Sequence, residues 1–450
     1  MSSVVRPALY LPIEVKTREL KAKLLIALFA VARGFEVCVG QKEALGLFLG
    51  KLQRGTVFGK SLSDIDASLF TGFRQLGHDV VAMDEELLVY INRQIIAGYL
   101  APQAVEACSM LFVPGQDGAE VIRARVPAAA DRVRIVGMPR MDLLRPNLMR
   151  RQAAARAEEI RRQHGDFFLV SGTYVLANCV MPAEAYLGVM QQCGYIRNAE
   201  DRRFFEEFFA HDVRRLQAML GAVRHVAARL PHVNLVVRPH PQEQPEPYFE
   251  ALAGLPNVTI SLPKEPVDAW LLAARGLIQH SCTTAIEANA LGVPVLAYTE
   301  VDSPRFDPAL PNTVAHHGRT PDEATAWVAD VLAGRRGAAA RTVSHDGKDF
   351  GFYLDDTDER LSAARIVDGL EELERARTLP ADGRGAPSRF AGIPYVAEPF
   401  PKPVLTAAKF PDTPLAEIER MVEDFTASLP ELARVRIANP VRDVFVLLPA

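Results

Sequence analysis

Gly276-Leu-Ile-Gln-His-Ser-Cys-Thr-Thr-Ala-Ile-Glu287 decides how this chain is read. The run Gly276–Gln279 predicts a buried strand, and Thr283–Leu291 predicts a helix, with only a tight polar turn between them. A strand that turns at once into a helix is the building step of a parallel α/β sheet. Working outward, the same alternation recurs. Strands are predicted at Phe167–Ser171, Asn234–Val237, Val258–Leu262 and Val293–Tyr298. Helices are predicted within Asp201–Leu230 and at Val267–Ala274 and Pro321–Ala333.

The first half reads the same way. Strands are predicted at Ala8–Ile13, Phe35–Gly40, Asp79–Met83, Met110–Pro114 and Val133–Gly137. Helices are predicted at Arg18–Arg33, Leu62–Leu76, Leu87–Ala101 and Asp117–Arg125. Between the halves, Gly137-Met-Pro-Arg-Met-Asp142 leads into an Arg/Ala-rich helix, Met149–Arg162, whose polarity reads as an interdomain connection. The fold class expected is α/β of GT-B build: two doubly wound Rossmann-like domains, residues 1–148 and 149–377, facing an interdomain cleft. Residues 378–450 then form a tail. Within it Leu379–Val404 is a Pro/Gly-rich linker, and Val444–Leu448 is a final strand-like stretch that packs back on the body.

Composition bounds the function classes. The 450 residues hold 49% hydrophobic and 24% charged residues, enough apolar material for two cores. A net charge of -4 gives no field for nucleic acid. The longest apolar run, Leu24–Ala32, is too short to span a bilayer, and Glu14 and Glu19 precede it, unlike a signal peptide. Five cysteines without a CxxC pair point to a reduced, cytoplasmic protein without structural zinc. His316-His317 lacks a third ligand at metal spacing. No metal and no cofactor are expected.

Ligands of doubly wound sheets bind beyond the carboxyl ends of the strands, so strand-end residues are the candidates. His280, Ser281, Thr283 and Thr284 offer donors to a phosphate at a helix start, with Glu287 one turn on to accept from ribose hydroxyls. Simple capping by a threonine with Glu287 is the competing reading. Val237-Arg-Pro-His-Pro241 puts Arg238 and His240 in a stiff turn at the cleft edge, as a charged fork and an imidazole. Ser171-Gly172-Thr173 is a third loop able to cradle phosphate. In the first half, Asp84-Glu85-Glu86 ends a strand and offers a general base, or merely acidic residues in a helix's first turn. Glu14, Lys16 and Arg18 leave the first strand and serve either an acceptor or a cap.

Together Glu85-Glu86, Arg238-Pro-His240-Pro and His280-Ser-Cys-Thr-Thr with Glu287 resemble bacterial GT-B glycosyltransferases that use CMP-activated acidic sugars, the sialyltransferases and Kdo transferases. The stretches Leu11–Leu20, Gly137–Asp142 and Cys282–Glu287 look like bacterial surface carbohydrate biosynthesis proteins, a likeness covering residues 8–375. The resemblance implies a metal-independent transfer of a nonulosonic or Kdo-like sugar from a CMP-sugar donor to a hydroxyl of a surface glycan, free or lipid-linked. It implies that His240 and the Ser281–Thr284 turn hold the CMP phosphate, that Glu287 holds ribose and that Glu85 is the base. The acidic pair is followed by Leu87 where the family pattern has Gly, so Glu86 and Glu14 stay beside Glu85 as candidates. Gly137–Asp142 also resembles the domain crossover of UDP-N-acetylglucosamine 2-epimerases. A UDP-sugar enzyme of that kind and a non-catalytic glycan-binding scaffold are the alternatives. The expected location is the cytoplasm, with room for peripheral attachment at the inner face of the membrane.

Overall fold

The computed structural model describes residues 6–262, 265–308, 310–342, 347–356, 359–376, 404–432 and 435–450. Fourteen strands are present among them: β1 (Ala8–Ile13), β2 (Glu36–Gln41), β3 (Thr56–Gly59), β4 (Asp79–Met83), β5 (Met110–Val113), β6 (Val133–Ile135), β7 (Phe167–Ser171), β8 (Asn234–Arg238), β9 (Val258–Ile260), β10 (Gly276–Gln279), β11 (Val295–Tyr298), β12 (His316–Gly318), β13 (Val435–Val441) and β14 (Val444–Pro449). They make two sheets, ordered β13-β14-β2-β1-β3-β4-β5-β6 and β12-β11-β10-β7-β8-β9. The second sheet is parallel throughout, and the first is parallel from β2 to β6. This is the doubly wound α/β architecture expected for the GT-B class.

The chain forms two compact units. Of the described residues, the first holds those up to Leu88, Leu100–Leu143 and those from Leu354 on; the second holds Val89–Tyr99 and those within Leu144–Tyr353. The helix Ser362–Ala376 therefore belongs with the first unit, and Gly137–Asp142 is where it is clasped. Both Asp142 carboxylate oxygens accept from the opening amides of that helix, Ser362 and Ala363, at 2.9 Å each. Gly137 sits at φ +77°, where a Cβ would lie 2.5 Å from Ser362 Oγ and 2.7 Å from the Asp355 carbonyl. Only glycine fits so close an approach at that φ.

The helix Lys16–Ala32 carries the core of the first unit. Leu20, Leu24, Leu25, Ile26, Leu28 and Val31 are buried on nearly every side of it, because helices Ser362–Ala376 and Leu415–Ser428 pack over the face turned from the sheet. The tail completes this unit: β14 pairs antiparallel with β2, and β13 pairs with β14. Its own Phe410, Phe425 and Phe445 are fully buried. Gly40 permits the docking, since a Cβ there would lie 2.3 Å from the Asp443 carbonyl.

Several elements differ from expectation. The helix expected over Leu87–Ala101 is a 3-10 turn, Glu85–Leu87, and two short helices, Arg93–Tyr99 and Pro102–Ala107. Pro102 forces Ala101 into an extended conformation (ψ 119°), and the Ala101 amide bonds to Leu62 instead of continuing a helix. Strand β3 and the helix Lys42–Leu49 were not predicted; both are short and lie between closely spaced glycines. The helix expected as a polar connection, here Pro146–His164, packs on the second unit. Its buried Met149, Ala153, Ala157 and Ile160 form a stripe at helical spacing, while Arg156 grips Glu265 with two bonds of 2.9 Å. The tail holds a hairpin where one strand was expected. The linker expected at 379–404 lies, up to residue 403, outside the described residues. Among the described residues, no helix is long and apolar enough to cross a membrane.

Candidate functional site

In the second unit the chain begins the sheet at β7, adds β8 and β9 on one side, and returns to add β10, β11 and β12 on the other. The strand order thus reverses between β7 and β10, the crevice where doubly wound sheets of this order receive their ligands. The turns after β7 and β10 meet there: Thr173 Oγ1 lies 3.8 Å from Cys282 Sγ. Gly172 makes room for the ring of Tyr174, which a Cβ would meet at 2.5 Å.

The β10 turn is built by an unusual backbone conformation. Ser281 sits at φ +51°, a left-handed conformation that costs a serine of order 1–3 kcal/mol and persists only when its surroundings impose it. Asn312 imposes it, accepting from the Ser281 amide at 3.0 Å and donating to Ser281 Oγ at 3.1 Å. Gln279 accepts from the Cys282 amide at 2.8 Å. Thr283 precedes a helix of seven residues, Thr284–Ala290, without a side-chain cap bond, so the capping reading does not account for its hydroxyl. Thr284 Oγ1 lies 3.3 Å from Cys282 Sγ, and Glu287 is buried on the following turn.

The turn after β8 lies on the other side of β7, with Ser171 in register with Arg238. His240 Nδ1 accepts from the Gln242 amide at 3.2 Å, which puts the proton of the neutral ring on Nε2. Arg238 departs from expectation. It is 5% exposed and lies over the Trp270 ring at 4.8 Å, donating to the Glu265 carbonyl. Burial lowers it to about 10, so it remains a cation, held inside by the indole face and not standing as a fork at an edge.

Two features here were missed in the sequence. Glu243 accepts from the Tyr174 amide at 2.8 Å and bonds the Tyr248 hydroxyl, tying the β8 turn to the β7 turn. Burial raises its carboxyl to about 7. The second feature is a buried ionic network. From the helix Ala199–Arg229, Arg215 donates to His280 Nδ1 at 2.8 Å and to the His280 carbonyl at 3.1 Å, and pairs with Asp212 at 2.8 Å. Asp307 receives His211 at 3.0 Å and Arg215 at 3.2 Å. His-Asp at 211–212 and Arg at 215 is the one sequence signal for it, three titratable side chains on one helix turn. His280 is 2% exposed; burial, with Arg215 beside it, lowers its pKa to about 3, so it is neutral.

His280, Asp302 and Asp307 bring ligand atoms within 4.8 Å of one another. The set does not fit a cation. Arg215 donates to Nδ1, so neutral His280 carries its proton on Nε2, the only nitrogen left to face a metal. The guanidinium also sits against Asp307.

The first unit reverses its strand order between β1 and β3, and that crevice is filled by charge. Glu14, after β1, pairs with Lys60, after β3, at 2.7 Å and with Lys409 of the tail at 2.5 Å. Partial burial would raise its carboxyl, but the two lysines outweigh that and hold it at about 2. Glu19 lies beneath, bonded to Lys23 at 3.0 Å and the Val15 amide at 2.8 Å. Lys16 is paired with Glu417 of the tail at 2.9 Å. Lys60 had no sequence signal, because β3 was not predicted. At the end of β4, Asp84 alone does the capping, accepting from the amides of Glu86 and Leu62 at 3.0 and 2.7 Å. That leaves Glu85 with Arg18 at 3.9 Å and Arg140 at 3.7 Å, both beyond hydrogen-bond length, and Glu86 exposed.

The sequence matches no family model and no curated protein. Among solved structures, the chain is similar to the UDP-GlcNAc 2-epimerase of Methanocaldococcus jannaschii, with 13% identity and a TM-score of 0.49 over 82% of this chain and 99% of that one. It is similar to the UDP-GlcNAc 2-epimerase of Neisseria meningitidis, with 13% identity and a TM-score of 0.46 over 82% and 100%. The wall teichoic acid polymerase TagF is a third such structure, with 9% identity and a TM-score of 0.46 over 82% and 90%.

Proposed function

We propose that this chain is a sugar-nucleotide enzyme of bacterial surface-glycan assembly, a glycosyltransferase that takes an acidic sugar from a CMP-activated donor and gives it to a glycan hydroxyl. The observation that carries the reading is the crevice between β7 and β10, where a strained serine turn, a Thr283 hydroxyl not used as a cap and the Gly172 loop come together, the two turns meeting at Thr173 and Cys282. Departure of a nucleoside monophosphate requires donors arranged around the phosphate before the bond breaks. Ser281, Thr283, Thr284, Thr173 and the Nε2 proton of His240 supply them, with Ser171 and Gly172 lining the loop and Glu287 accepting from ribose. Arg238 adds positive potential from beneath, not a direct fork.

On the acceptor side, Glu85 is the favoured base, with Glu86 next to it. Glu14 is a poor base, because both of its oxygens are engaged by lysines and its carboxyl is held at about 2. Arg18 is the acceptor contact favoured here, while Lys16 is paired with the tail. Departing nucleotide is stabilised by these side chains, and the set of groups at the turn needs no metal for it.

The test is a thermal-shift panel of CMP, CDP, UMP, UDP and GDP on wild type and His240→Ala. A ligand of the folded form raises the melting temperature by mass action. Stabilisation by CMP, lost in the variant, is the expected result. Preference for UDP would replace this reading with a UDP-sugar transferase or 2-epimerase. No shift with any nucleotide would leave a glycan-binding scaffold.

A further inference from the structure

We infer that Arg215 is the positioning residue of the second unit's crevice: one guanidinium sets the turn after β10 and braces the turn after β7, without itself touching a ligand. The inference rests on the crevice being the nucleotide site proposed above. Its geometry stands independently of which nucleotide binds.

Arg215 reaches His280, Asp212 and the Tyr174 ring, besides its ion pair with Asp307 at 3.2 Å. Nε meets His280 Nδ1 at 2.8 Å and Nη2 meets the His280 carbonyl at 3.1 Å, so the ring and the backbone of the same residue are both fixed. Nη1 meets Asp212 at 2.8 Å, and Asp212 in turn accepts from the Ala177 amide at 3.2 Å, beyond the β7 turn. The face of the guanidinium lies over the Tyr174 ring at 5.3 Å, the ring for which Gly172 leaves room. A planar group with five donors can do this, and a lysine cannot reproduce the fork.

The network also explains how Ser281 is kept in a left-handed conformation. Its preceding carbonyl is gripped by Arg215 and its own amide by Asn312, so the turn is held on both sides. His280 is faced by Arg215 and His211 from the helix and by Asp302 and Asp307 from the loop after β11. With Arg215 donating to Nδ1, the ring is restricted to its Nε2–H tautomer. A buried network of charged and polar groups is costly to break at one member, so Arg215, Asp212 and Asp307 are expected to act together.

The experiment compares wild type, Arg215→Met and Arg215→Lys, checked for folding by circular dichroism, in CMP titrations and in histidine-ring 15N spectra. Wild type is expected to show a single Nε2–H tautomer for His280, and Arg215→Met a mixture. CMP affinity is expected to fall at least tenfold in Arg215→Met, with partial rescue in Arg215→Lys. A folded Arg215→Met with unchanged tautomer and unchanged CMP affinity would overturn the assignment. If wild type binds no CMP, the functional reading fails on its own. Amide exchange at Ser281–Thr284 then decides on Arg215: faster exchange in the folded lysine variant supports it, and unchanged exchange overturns it.

Discussion

Each sheet of this protein reverses its strand order beside its first strand, yet the two crevices are furnished in opposite ways. In the second unit the reversal holds glycine, hydroxyls and a strained turn, with Asp212 and Arg215 of the long helix and Asp307 of the loop after β11 paired with one another. In the first unit the reversal holds Glu14, Lys60 and Glu19, and the tail adds Lys409 and Glu417. A crevice filled by mutually satisfied ions has no donors left for a phosphate. A crevice whose ions are satisfied elsewhere leaves its hydroxyls for a ligand. The same fold thus leaves hydroxyls open at one reversal and fills the other with ion pairs, the difference on which the proposed nucleotide site rests.

The comparison breaks most severely at the two glycines that permit each arrangement. Gly40→Ala drives a Cβ against the Asp443 carbonyl at 2.3 Å and Val444 Cα at 2.7 Å, both backbone atoms. We expect a loss of about 3 kcal/mol and release of the tail, read as new protease cleavage after residue 404. Gly172→Ala first meets the Tyr174 side chain, its ring at 2.5 Å and its hydroxyl at 2.7 Å. Its cost is expected nearer 1–2 kcal/mol, with nucleotide-induced stabilisation lost and the tail still protected. Equal sensitivity of the tail to both changes would erase the distinction between the units.

Opposite acid–base behaviour follows. Glu14 has a folded pKa lowered to about 2, so it contributes stability above the ordinary carboxylate range that is lost as pH falls toward that value. The melting difference between wild type and Glu14→Gln should therefore shrink as pH drops from 6 to 3. Glu243 is raised to about 7, so the native state holds its proton more tightly than the unfolded chain and stability falls as pH rises from the usual carboxylate value through 7. Glu243→Gln should melt above wild type at pH 8 and match it near pH 5. Parallel pH profiles for the two variants would contradict the charge assignments.

The sequence made the sheets legible because buried strands such as Ala8–Ile13, Asp79–Met83 and Gly276–Gln279 are short apolar runs with unambiguous ends. It also brought Ser171–Thr173, His240 and His280–Thr284 to adjacent strand ends, since each directly follows its strand. What stayed hidden depends on contacts distant along the chain. Glu14 looked available until Lys409, 395 positions away, was found on it. Arg238 looked exposed because nothing local says that Trp270 covers it. Lys60 was invisible because a four-residue strand between glycines carries too weak a period to be noticed. Gly137–Asp142 read as the boundary between the halves, and its local sequence does not say that its glycine and aspartate hold a helix 220 residues further on.

The smallest expected effect is at Ser281. Ser281→Gly relieves the left-handed strain and loses the Oγ bond to Asn312, so a net gain of about 1 kcal/mol and a few degrees in Tm is expected, with weaker CMP binding. Stability gained and affinity lost together would mark strain kept for a ligand. A variant that loses both would make Ser281 a folding residue.

The most direct measurement is residue-resolved amide hydrogen exchange with and without saturating CMP. Protection is expected at 171–174 and 280–284, with residues 13–19 and 59–61 unchanged. Protection confined to the first unit's crevice, or none at the second's, would contradict the assignment of the nucleotide to the reversal between β7 and β10.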